Sequence, residues 1–367
     1  MKGLKPGRKE FDGMNYFSVI RVITAAMLSL LLVFAIIFLV SDEPVMAISK
    51  MMLGPFQTRR SFFNVIERGI PLVFTGLALN ISLRSGVFNI GIDGSFYMGA
   101  VLATAVAIKV PLPNLVHQAV ILIAAGVLGG CINMLPVLIN RYTKINATVL
   151  SIMFNSVFYY FGLSIVSSYL LDKSGSWGSE KFPVDARFGV LIKGTSMNWS
   201  FIIVIAVILF VVLLMEKTSF GYKVRVTGIN AAFAKSSGIK VAAVILGAQF
   251  IGGVIGGIGG AIEMVGMYKR FQWQSPVNFV WDGLMVHMMA NENPVFIPLT
   301  ALFIAYLRVG AEIMSRSTNL DPEIVAFLQG IIILLVTSER FLYFIKRHHD
   351  QRLALKNAET AKVEGGI

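Results

Sequence analysis

Between positions 22 and 40 lie nineteen residues without a single charge. Further runs dominated by apolar residues follow at 62–83, 87–108, 115–139, 147–171, 201–215, 241–265, 277–290, 295–313 and 324–337. A helix needs about 20 apolar residues to cross the roughly 30 Å hydrocarbon layer of a bilayer. The chain therefore predicts an all-α, polytopic membrane protein with about ten (8–10) transmembrane helices. A composition of 56% hydrophobic and 14% charged residues excludes an ordinary soluble domain, since soluble chains carry about 25% charged residues. The first run reads as a span and not as a cleaved signal peptide, whose apolar core is only about 7–15 residues.

The net charge of +12 would suggest a nucleic-acid partner in a soluble protein. Here the Lys and Arg residues collect in alternate loops beside the apolar runs, where they set topology through the positive-inside rule. Both termini are expected in the cytoplasm. The organisation that follows is a cytoplasmic segment 1–20, a transmembrane domain 21–338 and a cytoplasmic tail 339–367. An external loop is expected at about 172–198 and a basic cytoplasmic loop at about 216–240. Runs 201–215 and 277–290 are short, so tilt, extension by polar ends or a re-entrant path is expected there. Within 216–240, the stretch Ala231 to Ser237 favours a short helix with Asn230 as N-cap and Gly238 as its stop.

The most informative stretch is 88–94, Phe-Asn-Ile-Gly-Ile-Asp-Gly. An Asp and an Asn among glycines at membrane depth cost several kcal/mol unless they face a bundle interior or a watery cavity. Glycines there let a helix break beside a path through the membrane. The bland alternative is a carboxylate, Asp93, capping a half-helix. The spacing Asn89-x-x-x-Asp93-Gly94 returns as Asn278-x-x-x-Asp282-Gly283, on a span of opposite direction, which is the pattern of an inverted repeat. Gly252, Gly256 and Gly260 form a small-residue row for close helix packing, in a helix pair or at a subunit seam. Arg308 and Glu312 have the i,i+4 spacing of an ion pair. No G-x-x-x-x-G-K-[ST] phosphate loop occurs in the sequence, so the chain has no means of hydrolysing a nucleotide by that route. Cys131 is the lone cysteine, and neither it nor the four histidines suggest a metal centre.

Residues 86–94 resemble the F-N-I-G-x-[ED]-G signature of the membrane subunits, or permeases, of bacterial ABC importers of the ribose, branched-chain amino-acid and nucleoside group. Residues 218–239 are similar to that family's coupling region, with Val226 for its usual Ala and Phe233 interrupting its small-residue run. Trp281-Asp282-Gly283-Leu284 and Asn291-Glu292-Asn293-Pro294 resemble its D-G-I-A stretch and the following Pro segment, without the glycine expected near Ala290. Leu307 to Glu312 is similar to the R-x-G-A-E of the nucleoside-type branch.

The resemblance implies a transport subunit in the bacterial cytoplasmic membrane that is not itself an enzyme. ATP would be used by a separate ATPase, and this chain would bind no cofactor of its own. The implied partners are that ATPase, a second identical or related permease subunit, and an extracytoplasmic substrate-binding protein or lipoprotein. Nucleosides or a related heterocycle are the expected substrate. Simple sugars or riboflavin are the alternatives within the family, and an ion-coupled secondary transporter is the alternative outside it. The candidate substrate path is Phe88, Asn89, Asp93, Asn155 and Asp282. The candidate ATPase coupling residues are Gly221, Arg225, Gly228, Asn230, Ala234 and Gly238.

Overall fold

A computed structural model describes residues 31–173, 177–195, 197–320 and positions 327, 330 and 331. Most of the 22–40 run's first half and nearly all of the 324–337 run, with both terminal segments, lie outside the described residues. Among those described the protein is all-helical, with two isolated β-bridges and no strand. Seven helices are long and apolar enough to cross a membrane. The described helices are α1 (Leu31–Val40), α2 (Pro44–Gln57), α3 (Arg59–Leu83), α4 (Ile92–Lys109), α5 (Asn114–Thr143), α6 (Ala147–Ile165), α7 (Ser200–Lys217), α8 (Ser219–Ile229), α9 (Ala231–Ser236), α10 (Val241–Ile262), α11 (Phe279–Met289) and α12 (Ile297–Ser317). Turns of π-helix extend α6 through Val166–Leu170 and α10 through Glu263–Met267.

The chain divides into two compact units. In the unit formed by Met1–Met52 and Ala311–Ile367, Asn319 donates to Asp42 at 2.7 Å and accepts from Ser41, and Glu312 pairs with Arg316. The unit Leu53–Gly310 is built around α10. Its glycines do not form one seam with one partner, and the 252–256–260 row itself divides between two helices. Gly252 rests against Ala78 and Ser82 of α3, Gly253 and Gly257 against Ala125, Gly129 and Asn133 of α5, and Gly256 and Gly260 against Ile92 and Phe96 of α4. A methyl group on Gly260 would overlap the Phe96 carbonyl. Without a hydrophobic drive between helices in lipid, this backbone-to-backbone approach supplies the packing attraction. The contacts also fix direction: α10 and α4 run parallel, while α3 and α5 run the other way.

The base of this unit is the end where α3 finishes. The 87–108 run, in which the glycines of 88–94 are expected to break the helix, is helical only from Ile92, and residues 84–91 climb into the bundle without helical structure. The 277–290 run yields α11, eleven residues or about 16 Å at 1.5 Å per residue, half of a bilayer crossing. The 201–215 run yields the eighteen-residue α7, a candidate full span. At the base, Thr218 caps α8 by accepting from Gly221 N at 3.1 Å, and Asn230 caps α9 by accepting from Phe233 N at 3.0 Å. Gly238, at φ +79°, closes α9, with bonds from its own N to Lys235 O and from Ile239 N to Ala234 O. A left-handed residue at this position releases the last carbonyls to such bonds, and glycine adopts it without penalty.

Candidate functional site

Breaking a helix inside a bilayer frees backbone groups that need partners. At 88–94 those partners come from α6 and from the neighbouring core. Asn155 accepts from Gly94 N and donates to Ile90 O, both at 3.0 Å, and Ser151 accepts from Ile90 N at 3.1 Å. Thr148 donates to Phe88 O at 2.8 Å. Asn89 is fully buried. Its amide donates to Asn133 O at 2.8 Å and Gln249 Oε1 at 2.9 Å, and its Oδ1 accepts from Gly91 N at 3.0 Å. Gln249 in turn donates to Ser82 O and Ser85 Oγ. The Asn89 amide is thus a rivet joining the 84–91 segment to α5 and α10, with Gln249 passing the link on to α3.

The start of α11 is held differently. Asn278 stands in the left-handed region at φ 57° and is exposed. Asp282, in the first turn, receives both guanidinium nitrogens of Arg308, at 2.6 and 2.7 Å. The i,i+4 pairing of Arg308 with Glu312 is therefore replaced: Arg308 reaches across to another helix, where a carboxylate offers two oxygens to its planar fork. Thr75 of α3 packs against Gly283, and Asn80 near the end of α3 donates to Glu292 O at 2.6 Å. α11 consequently runs toward the base, opposite to α4.

The two helices start beside each other. Asp93, in the first turn of α4, faces the Val280 backbone amide and lies within electrostatic range of Asp282. Two helix N-termini, the positive ends of two backbone dipoles, therefore converge on one place. A cavity of about 220 Å³ opens there. Asp93 and Tyr97 of α4, Asn155 and Tyr159 of α6, and Asn278 and Trp281 at the start of α11 line it. Tyr159 donates to Gln274 O at 2.6 Å, which holds the non-helical stretch before α11 against α6. Tyr97 and Tyr159 lie with ring centroids 5.0 Å apart.

Of the candidate path residues, Asp93 and Asn155 line the cavity, and Asp282 stands one residue beyond the lining Trp281. Phe88 is half-exposed and lies outside the lining, as does the buried Asn89. Sequence reasoning missed Tyr97, Tyr159 and Tyr160. A signal existed: Tyr97 follows Asp93 by four residues and Tyr159 follows Asn155 by four, so each pair shares a helix face.

The candidate coupling residues gather at the base. Gly221 fits against the last carbonyls of α7, and Gly228 lies against the Arg84 carbonyl and the backbone of Gly86. Gly86 itself is left-handed, at φ +84°. Glu216 pairs with Arg84 at 3.1 Å and with Arg225 at 3.8 Å. Ala234 is buried, whereas Asn230 and Gly238 are exposed. Arg84 was not singled out from the sequence, since one Arg beside an apolar run reads as a topology charge.

The sequence profile described as "branched-chain amino acid transport system / permease component" matches residues 61–337. The glucose ABC transporter permease protein of Haloferax volcanii is 27% identical over 82% of this chain and 82% of its own length. The guanosine ABC transporter permease protein of Bacillus subtilis is 26% identical over 76% of this chain and 82% of its own. The nucleoside ABC transporter permease protein of Lactococcus lactis is 22% identical over 88% and 91%. With a profile covering three quarters of its length and a bundle of membrane-spanning helices around a broken-helix cavity, the chain belongs to the branched-chain amino acid transport system permease family and is an ABC transporter permease.

Proposed function

We propose that this permease forms the translocation path of an ATP-driven bacterial importer for nucleosides, with its base toward the cytoplasm and both termini on that side. A separate ATPase docks on α8 and α9 and supplies the energy. A second permease subunit completes the path, and an extracytoplasmic binding protein delivers the ligand. The observation that carries this reading is the meeting of the N-termini of two opposed helices at an aromatic cavity, one of them joined directly to the base. Two helices that start beside each other and run in opposite directions also suit an inverted repeat within a ten-helix bundle.

The coupling route is short. A push on α8 is passed by Gly228 to the Arg84 carbonyl, because the two backbones touch without an intervening side chain. Residues 84–91 carry it to the start of α4, where the Asn89 amide meets α5 and α10. Tilting that segment moves Asp93 and Tyr97 against α11, which is a rigid-body change between two packed states. The nucleoside assignment rests on the aromatic lining and on the guanosine and nucleoside permeases among the relatives.

Uptake of labelled inosine in cells expressing the complete transporter tests the reading. ATP depletion with the ion gradient intact should abolish uptake, whereas an ion-coupled carrier would keep it. Gly228→Val, whose side chain would overlap the Arg84 carbonyl, should leave the protein in the membrane and lower uptake about 5- to 150-fold, the usual span of a coupling energy. Unchanged uptake in that variant would refute the route through Gly228.

A further inference from the structure

Two polar atoms around the cavity have no partner. Asp93 Oδ1 and the Tyr97 hydroxyl are both buried and both unbonded. Tyr97 is only 3% exposed, yet its residue lines the cavity. An orphaned acceptor and an orphaned hydroxyl one helical turn apart are costly unless something completes them, at about 1–3 kcal/mol for each group. Three other polar side chains of the wall are engaged. Asn155 spends its amide on the Gly94 and Ile90 backbone, Tyr159 donates to Gln274 O, and Asn278 donates to Pro276 O. The neighbouring Asp282 is held on both oxygens by Arg308. Besides Asp93 Oδ1 and the Tyr97 hydroxyl, the wall presents Ser156 and the aromatic side chains of Tyr160 and Trp281.

We infer that this cavity is a base-reading subsite, in which Asp93 Oδ1 accepts an N–H and the Tyr97 hydroxyl donates to the adjacent ring acceptor of a planar nucleobase. The inference rests on the nucleoside reading above and names the part of the ligand that the permease itself recognises. A base edge needs one acceptor and one donor side by side, and its faces stack on aromatic rings. At about 220 Å³ the cavity is below the roughly 300–1,000 Å³ of sites that enclose whole drug-sized ligands. The base enters it and the ribose remains toward the open side. Asp93 and Tyr97 are thus specificity-determining residues, and no covalent step is involved.

The test compares inosine with 1-methylinosine, in which the ring N–H is replaced by N–CH₃. Both are offered as unlabelled competitors of labelled inosine uptake, in cells carrying the complete transporter with wild-type, Asp93→Asn or Tyr97→Phe permease. The binding protein is the same in all strains, so any difference between strains belongs to this chain. With the wild-type permease, 1-methylinosine should compete about tenfold or more less well than inosine, the value of one hydrogen bond. Asp93→Asn should reduce that ratio, because an amide oxygen accepts the ring N–H more weakly than a carboxylate. Tyr97→Phe should raise the half-saturating inosine concentration about tenfold while membrane abundance is unchanged. If Asp93→Asn does not reach the membrane, Tyr97→Phe decides alone. Ratios and half-saturation identical in wild type and both variants would overturn the subsite while leaving a nucleoside importer intact. Absence of inosine uptake from the wild-type strain, with uptake of labelled glucose instead, would overturn the nucleoside reading and the subsite with it.

Discussion

α4 and α11 open with the same three residue types at the same spacing, an Asn, then an Asp in the first turn, then a Gly. Their supports differ. The Asn before α4 is fully buried and bonded to two other helices, while the Asn before α11 is exposed and does its work through its backbone angle. The carboxylates are reversed. Asp282 is clamped by Arg308, and Asp93 keeps an oxygen without a partner. One helix start is thus riveted behind its first turn and open in front, and the other is fixed through its first turn. The same short motif can serve either as an anchor or as a ligand-facing group, depending on which of its polar atoms the rest of the fold consumes.

The sharpest way to break this comparison is to remove the clamp. Arg308→Leu leaves the Asp282 carboxylate half-buried without its cation, which should cost about 3 kcal/mol, the lower end for breaking a buried pair. The thermal transition of the detergent-solubilised protein, followed by size-exclusion recovery after heating, should fall accordingly. Asp93→Asn should barely move the same transition. Equal losses in the two variants would show that both carboxylates are structural and would end the distinction.

A smaller loss is expected at the rivet. Asn89→Leu strands the Gly91 amide, at about 2 kcal/mol for a group left unsatisfied on burial, while Gln249 Oε1 keeps its bond from Asn133 Nδ2. Limited proteolysis in membranes should then expose the 84–91 segment, and an unaltered digestion pattern would argue that the buried amides are dispensable. The smallest effect belongs to Asn278. Asn278→Gly preserves the left-handed backbone and should be neutral within about 0.5 kcal/mol, while Asn278→Val should cost about 1–2 kcal/mol because a β-branched residue resists that conformation. A strong effect of the glycine variant on the melting profile would mean that the Asn278 side chain holds more than its own turn.

Much of the helical content was legible in advance, because a long charge-free run has few other options in a bilayer. The α9 caps were legible too, since Asn and Gly act there through local geometry alone. Legibility failed where a residue's role depends on a distant partner. Arg308 has an acceptable neighbour at Glu312, yet it pairs with Asp282, twenty-six positions earlier. The α10 glycines read as one seam because their spacing is one-dimensional, whereas rows on different faces of a helix meet α3, α4 and α5. Phe88 and Asn89 belong to a motif that does border the cavity, but only the next helical turn, Asp93 and Tyr97, lines it.

By itself the sequence determined that this chain crosses a membrane many times, that it carries no phosphate loop of its own, and where helices are interrupted. Hydropathy, glycine placement and capping chemistry act over a few residues, so a linear reading captures them. Only the tertiary structure decided that the two interruptions meet, which of the two matched aspartates is neutralised, and which aromatic rings enclose the space between them. Those outcomes depend on which of several chemically adequate partners lies within about 3 Å in space, and spacing along a chain does not encode that distance once a helix breaks.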